Sequence, residues 1–207
     1  MANINAPRGF TPVKHLDGSP WNRATKDFLV DSGDATALFI GDPVKIAGSA
    51  GVAGQIVAGN DVEGMATITR CASGSAEQLF VGVVVGFSVD PNNLMNTSRL
   101  ASTSRIAHVV VDPTVVYEIQ EDGVTSNIAA ADIGLNFTFS TTAGSATTGY
   151  SGIQLVSNVK TNLVTAPCKL LGLVKRVDNA FGLSSTDKAK FEVMFNTGVL
   201  MPNVVGG

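Results

Sequence analysis

Two distant stretches of the chain alternate apolar and polar residues with a period of two. In "VVYEIQ" Val115, Tyr117 and Ile119 fall on one side, and Glu118 and Gln120 on the other. In "KFEVMFN" Phe191, Val193 and Phe195 alternate with Lys190, Glu192 and Asn196. Successive side chains of a strand point to opposite faces, so the pattern specifies half-buried antiparallel strands rather than amphipathic helices. "FVGVVVGF" at 80–87 and "IAHVVV" at 106–111 are apolar on both sides, as strands covered on both faces are. Further strand candidates lie at 38–46, 54–58, 65–71, 135–139, 153–157 and 168–177.

The punctuation agrees with short strands. Asp-Pro occurs at 42–43, 90–91 and 112–113, and the last two each follow an apolar strand candidate. Proline cannot donate to a ladder and fixes its own φ, so it marks strand ends and turns. Glu121-Asp122-Gly123 after "VVYEIQ" supplies an Asp-Gly hairpin turn, with its acidic pair expected in solvent. The single helix candidate is a short piece within "IAAADIG", 128–134. Three stretches read as loops: "GSAGVAG" at 48–54, "DPNNLMNTSRLASTS" at 90–104 and "STTAGSATTGYSG" at 140–152. The expected fold is all-β: an antiparallel barrel or sandwich of roughly eight to eleven strands, with an extended N-terminal arm and little helix. Residues 1–35 lack sustained alternation and read as the arm; residues 36–207 form one β-rich body.

Composition narrows the function. Charged residues make up 15 per cent, against ~25 per cent in ordinary soluble domains. The polar surface therefore comes largely from Ser, Thr, Asn and Gly, which repel neighbours weakly and suit packing into an assembly. With a net charge of -3 and no Lys/Arg cluster denser than "LVKR" at 173–176, the chain lacks the basic face that grips nucleic acid. The longest strongly apolar run, "LFVGVVVGFSV" at 79–89, is too short for a membrane helix of ~20 residues. "MANINAPRGF" has no apolar signal region, so synthesis in the cytoplasm is expected. Cys71 and Cys168 have no ligand-spaced partners and read as buried thiols rather than a disulfide.

No stretch carries a catalytic signature. "GSAGVAG" lacks the GK[ST] ending of a phosphate loop, and no helix candidate follows it. His15 and Asp17 stand close together without a serine or cysteine in a nucleophile motif. His108 lies within an apolar strand and reads as a hydrogen-bonded core residue. Two histidines and two scattered cysteines do not make a zinc site, and no cofactor or metal is expected.

The arm is more informative. Phe10, Val13, His15, Leu16 and Trp21 stand among Pro, Gly and Asn in "GFTPVKHLDGSPWN". A tryptophan buries ~150–250 Å², worth at most about 4–6 kcal/mol. Such a segment either folds back on its own body as an edge strand or docks on a neighbouring subunit.

The opening "NAPRGFTPVKHLDGSPWN" resembles the start of tailed-bacteriophage capsid cement (head decoration) proteins. The resemblance continues through "FIGDPVKIAG", "FVGVVVGF", "VYEIQEDG" and "AADIGLNFTFSTTAGSATTGYSGIQL" to "LLGLVKRVDN" and "KFEVMFN". It implies a β-rich protein on the outside of a virion, binding the major capsid protein and other copies of itself as a dimer or trimer. It implies no enzyme activity, and no nucleic-acid or membrane partner. The five arm residues Phe10, Val13, His15, Leu16 and Trp21 are the expected contacts. A carbohydrate-binding β-sandwich, marked by an exposed aromatic platform of Trp21, Tyr117 or Tyr150, is the alternative. A glycan-cleaving enzyme with paired carboxylates in a cleft is a third reading.

Overall fold

A computed structural model describes residues 3–72, 80–124, 126–161, 166–182 and 187–196. Its strands are β1 (Thr11–His15), β2 (Lys26–Val30), β3 (Pro43–Ala50), β4 (Ile56–Val57), β5 (Asn60–Asp61), β6 (Ala66–Arg70) and β7 (Phe80–Phe87). They continue with β8 (Arg105–Val110), β9 (Val115–Gln120), β10 (Asn136–Phe139), β11 (Leu155–Thr161), β12 (Cys168–Leu173) and β13 (Lys190–Phe195). Among the described residues the helical content is one 3-10 turn, Ala130–Asp132, inside the expected 128–134 piece. The protein is all-β.

Two sheets carry the fold. One has six antiparallel strands in the order β1-β9-β13-β12-β10-β11. The other closes on itself as a barrel, β2-β6-β3-β7-β8, antiparallel except where β2 meets β6 at Leu29 and Thr67. β4 and β5 form a small separate hairpin. The inner face of the six-stranded sheet packs against one end of the barrel. Phe80 and Cys71 from the barrel end share a core with Tyr117, Phe137, Leu170 and Phe195 from the sheet. Phe80 stacks on Phe195 with ring centroids 3.8 Å apart. The barrel interior is a second cluster, including Phe28, Val44, Val81, Val84 and Val109.

The alternating stretches sit where their pattern requires. Phe191, Val193 and Phe195 are buried while Lys190, Glu192 and Met194 are half-buried on the outer face. Phe80 to Val84, apolar throughout, are buried on both sides.

Several boundaries differ from the sequence reading. β3 starts at Pro43 and runs through Gly48 to Ala50, taking in the start of the expected flexible loop. Residues 54–58 contribute the two-residue strand β4, and the 168–177 candidate ends at Leu173. The Asp-Gly at 122–123 does not close a hairpin, because the sheet neighbours of β9 are β1 and β13. Asp122 Oδ1 instead accepts hydrogen bonds from the Ser157 amide and hydroxyl, at 3.0 and 2.7 Å. Glu121 is fully buried rather than solvated. Its carboxylate accepts from the amides of Ile128 and Ala189 and from the side chain of Asn127.

Within residues 1–35, Thr11–His15 is the edge strand of the sheet, the first of the two readings of this segment, whereas Lys26–Val30, read as part of the arm, is a barrel strand paired along its length with β8. β2 escaped the alternation test because "FLV" is buried on both sides. Phe28 and Val30 face the barrel interior, and Leu29 packs outward under the β4–β5 hairpin with Val57, Val62 and Ile106.

Candidate interaction surface

The segment "GFTPVKHLDGSPWN" crosses from the barrel to the sheet. The Phe10 amide donates to the Gly41 carbonyl at 3.0 Å, tying the chain to the strand-like bridge before β3. Gly9 has φ +65°, and a Cβ there would run into the Gly41 carbonyl and Ser151, so this crossing requires glycine. β1 then pairs with β9, with a bulge between Pro12 and Lys14. The chain turns back at once: the His15 amide donates to the Ser19 carbonyl at 2.8 Å, and Lys14 bridges Pro20. Asp17 fixes this turn by accepting from the Ser19 amide and hydroxyl, which hold its carboxyl below the usual range.

The five expected contact residues separate into two groups. Phe10 is 1 % exposed, edge-on to Tyr117 and Phe139 and 4.7 Å from the Phe195 ring centre. Trp21 is half-buried against the same core, its indole Nε1 without a hydrogen-bond partner. Both rings are occupied within their own chain. Val13 and Leu16 are 42 % and 56 % exposed at the sheet edge. His15 lies beside them, with Nδ1 3.2 Å from Thr114 Oγ1 and 3.4 Å from Asp112 Oδ2. The segment therefore staples the two sheets together with its rings, presents Val13 and Leu16 outward and holds His15 against Thr114 and Asp112.

His108 faces outward from the barrel rather than into its core. It pairs across the strand with Asp27 at 2.6 Å, and both are partly exposed. The candidate aromatic platform does not assemble: Tyr117 is buried, and Tyr150 lies under the Arg8 guanidinium, 5.1 Å from its ring centre. Among the described residues no group of three or more His, Cys, Asp or Glu converges as a metal set would. Glu118 and Glu192 are directly opposed on β9 and β13, but each is already paired. Glu192 binds Lys14 at 2.8 Å, and Glu118 takes a two-pronged bond from Arg176.

The stretch "DPNNLMNTSRLASTS" reads as a loop from its sequence. The structure makes it a built loop. Arg99, fully buried, donates to four backbone carbonyls, those of Asp31, Asp34, Thr36 and Thr103. Arg105, 6 % exposed, donates to the carbonyls of Ser88, Asn96 and Ser98. Arg99 within a Ser/Asn-rich loop and Arg105 just after it, at the start of β8, were the available signal, since guanidinium donors satisfy several orphan carbonyls at once. The loop holds Leu94 and Met95 in solvent, 77 % and 86 % exposed.

No protein-family model matches this chain, and neither a curated protein nor a solved structure does.

Proposed function

We propose that this protein is a virion cement protein. In this reading it binds the outside of an assembled phage head and ties neighbouring major capsid subunits together by contact alone, without catalysis. Its partners are the major capsid protein and further copies of itself, and neither nucleic acid nor membrane takes part.

The observation that carries the reading is the N-terminal phrase. The stretch that most resembles cement proteins is also the one that joins barrel to sheet and holds Val13, His15 and Leu16 at the sheet edge. Contacts held rigidly before binding lose little entropy on docking. Several modest contacts linked through one body multiply their affinities.

The test adds purified protein to heads lacking cement and measures occupancy and the temperature at which the heads release DNA. Wild type should bind and raise that temperature. A Val13→Ser/Leu16→Ser variant should fold normally and bind roughly 10- to 100-fold more weakly, the loss expected from removing one or two interface anchors. Failure of wild type to bind heads would overturn the cement reading. Equal binding by the variant would remove the sheet edge from the contact.

A further inference from the structure

Two surfaces, one on the barrel and one on the six-stranded sheet, complement each other. The first is the barrel rim at the Phe87 end of β7. Phe80 stacks on the sheet, and β7 carries the chain seven residues on to Phe87, about 23 Å away at ~3.3 Å per residue. Beyond it three loops meet, 31–37, 51–65 and 88–104. Arg99 ties the first to the third, and a cleft of about 270 Å³ separates the second from the third. Val52, Ile56, Val89, Leu94 and Met95 all stand more than half exposed here. The loop bearing Leu94 and Met95 is a fixed double turn: the Asn93 amide donates to Asp90, the Asn96 amide to Asn93, and the Asn96 side chain to Asp90 Oδ2 at 2.8 Å.

The rim is acidic. Asp31, Asp34, Asp61, Glu63 and Asp90 face two cations, Arg99 and Arg105, both turned inward onto carbonyls, and the three loops contain no lysine. Two such rims would oppose like charges in a two-fold contact, so the rim does not suit its own image.

The second surface is the outer face of the six-stranded sheet. A groove of about 790 Å³ crosses it, walled by Val13, Ile133, Leu171 and Leu173. Shifts of register at Pro12/Lys14 and at Leu170/Gly172 form it, and Gly172 leaves open space in its floor. Lys14, Lys175 and Arg176 line it against Glu118 and Glu192; Lys14 is paired with Glu192 and Arg176 with Glu118, so Lys175 is the groove's surplus positive charge.

We propose that the acidic, apolar rim of one copy docks into the basic, apolar groove of a second copy, so that the chain associates head to tail. Leu94 and Met95 enter the groove, and the carboxylates of the rim meet Lys175 and its neighbours. Such a heterologous contact leaves one free rim and one free groove, and it closes into a ring or grows as a chain. Neither a phage head nor a capsid subunit enters the contact, so it stands or falls apart from the cement reading.

Sedimentation and light scattering on the purified full chain test it. Wild type should associate as concentration rises to about 500 µM. The association should weaken from about 0.1 M to about 1 M salt, as the screening length falls from ~10 to ~3 Å. Leu94→Ser/Met95→Ser on the rim, or Leu171→Glu/Lys175→Glu in the groove, should each weaken it by at least about 30-fold. All four residues are at least partly exposed, and a melting curve confirms that each variant is folded. Mixing the rim variant with the groove variant should restore a 1:1 dimer and nothing larger, because one intact rim then meets one intact groove. A monomeric wild type at the highest concentration overturns the proposal. So does undiminished association of both variants, or a mixture that stays monomeric.

Discussion

Asp42 is the residue at which the junction between barrel and sheet is most exposed to pH. It is fully buried, and its Oδ2 accepts the Phe39 amide at 2.9 Å. Burial raises its pKa from 3.8 to about 6, opposed by a hydrogen bond with Ser151, the Phe39 amide and the charge of Arg70. The folded protein holds this proton more tightly than the unfolded chain does. The stability attached to Asp42 is therefore fully present below pH 3.8, declines as pH rises to about 6, and stays low above it. Asp42→Asn keeps an oxygen for the Phe39 amide and removes the charge. Relative to wild type it should gain about 1–3 kcal/mol between pH 4 and pH 7 in urea unfolding. A constant difference across that range would show that the site does not titrate. The two cysteines act in the opposite sense, as inert groups. Both are free and buried, and burial pushes the Cys71 thiol up to about 12 and Cys168 well above its ordinary value. Since the thiolate is the reactive form, reductant should leave the melting temperature unchanged. A fall of ~10 °C would reveal a stabilising bridge.

At the scale of elements, Arg99 holds the loop 88–104 to the loop 31–37 through buried carbonyls. Replacing this arginine by methionine keeps much of its length but abandons four carbonyls inside the protein. Loss of several buried partners at once should cost about 3–5 kcal/mol in chemical denaturation. A cost below about 1 kcal/mol would mean that water reaches those carbonyls. This loop also marks the limit of what the sequence discloses. Alternation located Val115–Gln120 and Lys190–Phe195 to the residue at their starts, because each has one wet face and one dry face. Lys26–Val30 has two dry faces after Asp27, so its pattern carries no period, and only the hairpin that covers Leu29 explains it. Glu121 was equally opaque. A carboxylate in an Asp-Gly turn looks solvated until the chain brings Ile128 and Ala189 to cover it. Of the surface residues, Val13 and Leu16 were legible as apolar groups in an extended segment. The rim and the groove were not, since each gathers residues from several separated segments.

Taken as a whole, the molecule shares one core between its two sheets, and the N-terminal segment is part of that core. Phe10 touches Tyr117, Phe139 and Phe195, while Phe80, Val83 and Val110 reach the same cluster from the barrel. Neither sheet can lose the other without exposing these side chains, so they should unfold together. Trp21 fluorescence reports the sheet edge, and far-UV circular dichroism reports all strands. The two melting curves should coincide in a single transition. Phe10→Ala should lower stability by about 3–5 kcal/mol, the cost of emptying a packed aromatic site, and keep the transition single. Deleting residues 1–22 removes Phe10, Trp21 and the whole of β1, and it uncovers the edge of β9. That truncation should therefore fail to fold or aggregate, and any loss of binding it shows cannot be assigned to the arm as a docking element. Val13→Ser/Leu16→Ser leaves the staple in place and isolates the exposed contacts. Two resolved transitions, with Trp21 melting apart from the dichroism, would instead show that barrel and sheet are separately stable and that the shared core couples them only weakly.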